Sequence, residues 1–170
     1  RTWQSTHGIL RAEDPLSIAH ENAGPYLVST TAIAIENTHN FGGGTIQPID
    51  EIAVLARAAR ARGISMHLDG ARIWNAHVAS GVSLLDYGKH FDTISVCLSK
   101  GLGAPIGSLM LSTKARVAEA RIWRKRYGAG MRQVGIIAAA GHYALDKNIT
   151  RLAEDHTKAK KIARAMHALN

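Results

Sequence analysis

One run of residues constrains this chain more than any other. Phe91 to Leu98 reads FDTISVCL, apolar and β-branched enough for a buried strand. It passes directly into Ser99-Lys100-Gly101-Leu102-Gly103-Ala104-Pro105. Glycine and proline at that density end regular structure at once. Such a strand delivers a lysine onto a glycine-rich loop, which in an open α/β sheet is where ligands gather, at the carboxyl end of a strand.

The rest of the chain supplies partners for that strand. Residues 28–35, VSTTAIAI, read as a second buried strand, and the polar loop ENTHNFGGG follows from Glu36 to Gly44. From about Pro48 to Arg62, the residues Ile49, Ile52, Leu55, Ala56 and Ala59 recur near helical spacing, and Gly63 stands in the usual C-cap position. ISMHL at 64–68 is a short strand that leads to Asp69-Gly70. Residues 71–79 are a helical stretch that Gly81 ends, and Ser83 caps a short turn through Tyr87. Beyond the lysine loop, Ile106 to Leu111 predicts another strand. Thr113 caps a basic helix over about 114–126, and helices follow over about 133–145 and 149–169, the last with a weak point near Asp155. Residues 1–27 read as a loop with a short helix. The order strand, helix, strand, helix, strand, strand, helices predicts a sheet covered by helices.

Composition narrows the function classes. The chain has 170 residues, enough for one domain with a core. It holds no apolar run of 18 residues and shows no signal-peptide pattern at its start. Its single cysteine, Cys97, excludes an internal disulfide, and the apolar run around it predicts a buried, inert thiol. The net charge of +8 raises nucleic acid as a partner. Its distribution points instead to solvated faces: Arg57, Arg60 and Arg62 close one helix, the cluster from Lys114 to Arg132 spreads over another, and Lys158, Lys160 and Lys161 are mixed with Glu154 and Asp155.

Three predicted strands end in ionisable residues: at Glu36 to Asn40, at His67-Leu68-Asp69 and at Ser99-Lys100. Asp69 is either a turn or cap aspartate or a carboxylate aimed into a crevice that Arg72, three residues on, also reaches. Lys100 is either a solvated amine or a desolvated one suited to covalent chemistry with a carbonyl. His67 and Asp69 share a strand face and with His39 could mimic a metal triad, but no second cluster has ligand spacing. Gly101 and Gly103 follow the lysine rather than precede it, so this is no P-loop, and no G-x-S-x-G elbow occurs.

These residues carry a resemblance. IENTHNFGGGTIQPID at 35–50, HLDGARIWNAHVASG at 67–81, VCLSKGLGAPIGS at 96–108 and RIWRKRYGAGMRQVGIIAAAGHYAL at 121–145 together resemble the low-specificity threonine aldolases, within the beta-eliminating lyases. The resemblance implies an α/β fold: the large domain of a pyridoxal-phosphate-dependent, type I (aminotransferase-like) enzyme. That domain has a central, mostly parallel sheet with flanking helices, and is expected to be incomplete at both ends. Residues 1–27 are then a poorly matched N-terminal segment, 28–147 the cofactor-binding core, and 148–170 a helix leading toward a small C-terminal domain absent from the chain. Lys100 would bond covalently to pyridoxal 5'-phosphate, and Asp69 would pair with its ring nitrogen. Arg72 would lie beside the cofactor and hold the substrate carboxylate. His39 would face the substrate side chain and handle the β-hydroxyl proton. Ser99 would serve on the phosphate side, while Arg126 and Arg132 flank a turn that in the family lies near a subunit contact. The implied reaction cleaves L-threonine or L-allo-threonine to glycine and acetaldehyde, in the cytoplasm, by a homo-oligomer, dimer or tetramer, without nucleic-acid or membrane partners. The family's phosphate-cradling loop and ring-stacking histidine are not recognisable in residues 1–27, which leaves two other expectations: an inactive fragment or scaffold, or another lyase or transferase on the same cofactor.

Overall fold

The computed structural model describes residues 1–169 of the chain. Four strands form one sheet in the order β1-β2-β3-β4: β1 Ala32–Glu36, β2 Ser65–Gly70, β3 Thr93–Cys97 and β4 Ser108–Leu111. The first two pairings are parallel and the last is antiparallel. Helical connections explain this. Parallel neighbours need a crossover, and the helix α2, Ile49–Ala61, supplies it between β1 and β2; α3, Ile73–Ser80, and α4, Leu84–Gly88, supply it between β2 and β3. Only the lysine loop joins β3 to β4, so β4 turns back.

Alternation sorts each strand's residues between two faces. Ile33, Ile35, Met66, Leu68 and Val96 are buried on one face, against Ile52, Leu55, Ala56 and Ala59 of α2 and Ile73 and Ala76 of α3. Burying each Leu or Ile in such a cluster contributes roughly 1.5–3 kcal/mol, so this shared core holds the strands in line. The other face carries Ala34, Glu36, His67, Asp69, Ser95 and Cys97. A second, smaller cluster of Leu98, Leu102, Ala104, Ala144 and Leu152 underlies the lysine loop. It draws in α6, Gly135–Lys147, and α7, Leu152–His167. The remaining helical elements are a 3-10 turn at Thr6–Gly8, α1, Glu13–Ser17, and the basic α5, Lys114–Arg126, which has no buried residue.

Several boundaries differ from the sequence reading, each for a physical reason. The first strand begins at Ala32, not Val28. Its partner β2 starts only at Ser65, after the turn at Gly63; Thr31 O accepts the first cross-strand bond, from Ser65 N, and the residues before it lie beyond the reach of β2, with Thr30 donating its N–H to His20 O instead. The second strand runs on through Asp69 to Gly70, because Glu36 on one side and Ser95 on the other extend the ladder. The last helix passes through Asp155 unbroken, its Glu154 and Asp155 placed in the first turn where the helix dipole favours them. Ser83 and Thr113 do cap their helices, accepting from Asp86 N and Arg116 N.

Candidate active site

The sheet's register brings the three strand ends together. Glu36 stands opposite Asp69, and Asp69 opposite Ser95, so both carboxylates lie side by side on the polar face. The small side chains of Ala34, Ser95 and Cys97 leave that face low, with little to screen Asp69. Asp69 is exposed, and its Oδ1 accepts from Ala71 N at 3.0 Å. The aspartate therefore makes the local turn bond that its sequence suggested while leaving Oδ2 toward solvent.

Lys100 follows directly from β3. The backbone behind it is tightly packed: a Cβ on Gly101 would come within 2.9 Å of Leu152 Cδ2, and Asn148 Nδ2 donates to Leu102 O at 2.7 Å. The second apolar cluster thus pins the loop from below while the lysine stays exposed above. Its Nζ donates to Cys97 Sγ at 3.2 Å, and Ser108 Oγ donates to the same sulfur at 3.4 Å. The expectation of a buried, inert Cys97 is corrected here. The thiol is only partly buried and faces the lysine, because position 97 falls on the polar side of β3. Trp74 Nε1 donates to Cys97 O at 2.9 Å and ties the strand end to α3.

Glu36 was not singled out as a site residue, yet it links two that were. Its Oε1 lies 3.8 Å from Arg72 Nη1, and its Oε2 lies 4.0 Å from His39 Nε2. Asn40 N–H donates to the same Oε1 at 3.2 Å. Arg72, at the N-cap of α3, and His39, in the loop after β1, converge on one carboxylate from different elements. The signal in the sequence was the strand-end rule itself, since Glu36 closes β1 as Asp69 nearly closes β2. The ring of His39 is oriented by Gly42, whose N–H donates to Nδ1 at 3.0 Å. With Nδ1 an acceptor, the neutral imidazole carries its proton on Nε2.

Not every expected residue joins this group. Ser99 is exposed and has no side-chain hydrogen bond among the described residues. Arg126 lies over the Trp123 ring at 4.9 Å on α5. Nδ1 of His67 is bonded to Thr93 Oγ1 at 2.8 Å, and among the described residues no group of three His, Cys, Asp or Glu side chains is placed to hold a metal ion. No helix among them is long and apolar enough to cross a membrane.

The donor set suits an aromatic aldehyde with a basic ring nitrogen. An exposed carboxylate stands near the end of β2 and an exposed primary amine just beyond the end of β3, its parallel neighbour.

The family model described as "Beta-eliminating lyase" matches residues 4–170. The chain is 40% identical over 160 residues to the low-specificity L-threonine aldolase of Candida albicans, covering 93% of this chain and 42% of that protein. It is 44% identical over 138 residues to the low specificity L-threonine aldolase of Escherichia coli, covering 81% of this chain and 40% of that protein. The solved threonine aldolase of Leishmania major superposes with a TM-score of 0.82 at 25% identity, over 96% of this chain and 48% of that one. The chain thus spans less than half the length of each.

Proposed function

The chain belongs to the beta-eliminating lyase family, and from that premise we propose that the protein it represents is a pyridoxal-phosphate-dependent aldolase that cleaves L-threonine or L-allo-threonine to glycine and acetaldehyde. What supports the reading is that Asp69 stands near the end of β2 and Lys100 just beyond the end of its parallel neighbour β3, with its Nζ on Cys97 of the polar face that also carries Glu36, toward which His39 and Arg72 converge. The likeness to aldolases at 40% and 44% identity supports the substrate class.

Each residue has a task that its position suits. Lys100 offers the amine that bonds to the cofactor's aldehyde, and Asp69 offers a carboxylate to its ring nitrogen. The cofactor, when bound, supplies an electron sink next to the substrate's Cα. Arg72 presents a planar fork of donors to the substrate carboxylate. His39 presents Nε2 to the β-hydroxyl. Cys97 receives the Lys100 ammonium when that amine is free, keeping it within reach of the site. Ser99 is assigned to the phosphate side by the family resemblance. The exposed apolar residues Ile122, Trp123, Tyr127 and Ile136 on and after α5 support assembly as a homo-oligomer.

The test is a covalent one. Pyridoxal phosphate added to the protein is expected to give a borohydride-fixed adduct at a single peptide, the one holding Lys100, and Lys100→Ala is expected to lose it. An adduct of equal yield on the Lys100→Ala protein would overturn the assignment.

A further inference from the structure

We infer that Glu36 is the group that takes the β-hydroxyl proton, and that His39 serves as the donor holding the same oxygen. The inference rests on the aldolase reading, which supplies a substrate with a β-hydroxyl. The geometry begins with Gly42. Its N–H occupies His39 Nδ1, so the neutral ring has an N–H, not a lone pair, at Nε2. A neutral His39 in this setting can give a hydrogen bond at the open side of its ring but cannot accept a proton there.

The acceptor is 4.0 Å away. Glu36 Oε2 has no hydrogen-bond donor among the described residues, because the Asn40 N–H and the Arg72 guanidinium both address Oε1. A gap of 4.0 Å is too long for a direct hydrogen bond between Nε2 and Oε2. It is the right width for an oxygen that sits to one side at roughly 2.8 Å from each atom. A hydroxyl satisfies both: its oxygen accepts from Nε2–H and its O–H donates to Oε2. Glu36 is about a quarter exposed and His39 about a third, so a ligand can reach the gap. The guanidinium of Arg72 beside Oε1 places a positive charge against the carboxylate and aligns it.

The step balances. The substrate O–H and Cα–Cβ bonds break, while the O–H bond of the Glu36 carboxyl group and the aldehyde C=O form. The electron pair of the broken carbon–carbon bond stays on the Cα half, which gains one proton to become glycine. Glu36 gives one proton back to solvent. No oxidant, reductant or co-reactant is needed.

Two reactions of the same protein with pyridoxal phosphate separate this role from a structural one. Threonine cleavage involves the hydroxyl; exchange of the glycine α-hydrogen with deuterium from D₂O does not. Glu36→Gln keeps an oxygen for Asn40 N–H but cannot take a proton. It is expected to slow threonine cleavage by about 100-fold or more, the usual scale for a lost general base, and to slow glycine exchange at least about tenfold less than it slows cleavage. Glu36→Asp is expected to recover part of the cleavage rate. His39→Asn, which keeps a donor, is expected to lose less than Glu36→Gln. Cleavage by Glu36→Gln within about threefold of the parent would overturn the inference, as would glycine exchange that falls in step with cleavage, or a His39→Asn loss larger than that of Glu36→Gln. A parent that exchanges glycine but leaves threonine intact would instead overturn the aldolase reading, and this inference with it.

Discussion

Single residues decide the site by where the backbone lets them point. That Asp69 lies near the end of a strand and Lys100 in the loop after another was legible in the sequence, because glycine follows each and ends the regular structure. Glu36 was legible only as the end of a strand. The role inferred for it rests on a register that pairs it with Asp69, a long-range consequence, and on a loop that brings His39 within 4.0 Å of it. Cys97 was misread because a run of apolar letters hides which face each one occupies, and one residue of register decides that. Gly70 shows the same dependence. It ends β2, directly after Asp69, and a Cβ there would come within 2.9 Å of Ser95 O and 3.3 Å of Ile73 Cβ. Neither neighbour can retreat easily, since one is strand backbone and the other is buried in the core. Gly70→Ala is therefore expected to cost about 1–3 kcal/mol, as overpacking does. A melting curve would show a drop of several degrees. An unchanged midpoint would mean that β2 can shift away from β3 without cost, which the register argues against.

At the level of elements, the sequence foretold which segments are helix or strand better than where they begin. Periodicity reports which face is buried, and caps report ends. The strand at Ala32 carries neither signal, since its start depends on where β2 becomes available. Helix α5 is the opposite case, an element set almost wholly by local chemistry. None of its residues is buried, and its start is fixed by Thr113, whose Oγ1 accepts from Arg116 N at 3.4 Å. Arg124, Lys125 and Arg126 in the last turn complement the helix dipole. Removing the cap with Thr113→Ala is expected to cost about 1 kcal/mol. With no buried residue on α5, and an exposed ion pair of Arg116 with Asp92 at 3.1 Å as the side-chain link from its first turn toward the sheet, that loss stays largely local. Amide exchange in the first turn of α5 should quicken about fivefold while the global melting midpoint holds. A fall in the global midpoint would show that α5 is coupled to the core by contacts other than side-chain burial.

For the whole molecule, the balance of charge sets how folding responds to acid. The chain carries a net +8 with its histidines neutral, so each histidine that gains a proton adds to an existing excess. His90 faces that excess directly. Burial in the bend between α4 and β3 pushes its pKa below the ordinary 6.5, and the cations of Lys89, Arg60 and Arg57 push it the same way, opposed by Asp86. Asp86 itself is held below its ordinary 3.8, by its hydrogen bonds to Lys89 and Ser83 and by the charge of Lys89. The signs follow from proton binding. A histidine with a depressed pKa binds fewer protons folded than unfolded, so its contribution to stability is complete above 6.5. It declines as pH falls below that value, until the folded-state pKa is passed. The stabilising share of Asp86 is present above 3.8 and is lost as pH falls through its lowered folded value, so the two groups act in separate windows. Replacing His90 removes the first window and leaves the second. His90→Gln keeps a side chain of similar length without a titrating ring. Its melting midpoint, set against the parent's at pH 7.5 and again at pH 5, should improve relative to the parent at the lower pH. A gap between the two proteins that stays constant from pH 7.5 to 5 would mean that His90 takes up its proton equally well folded and unfolded, and that the cations around it are too well solvated to matter.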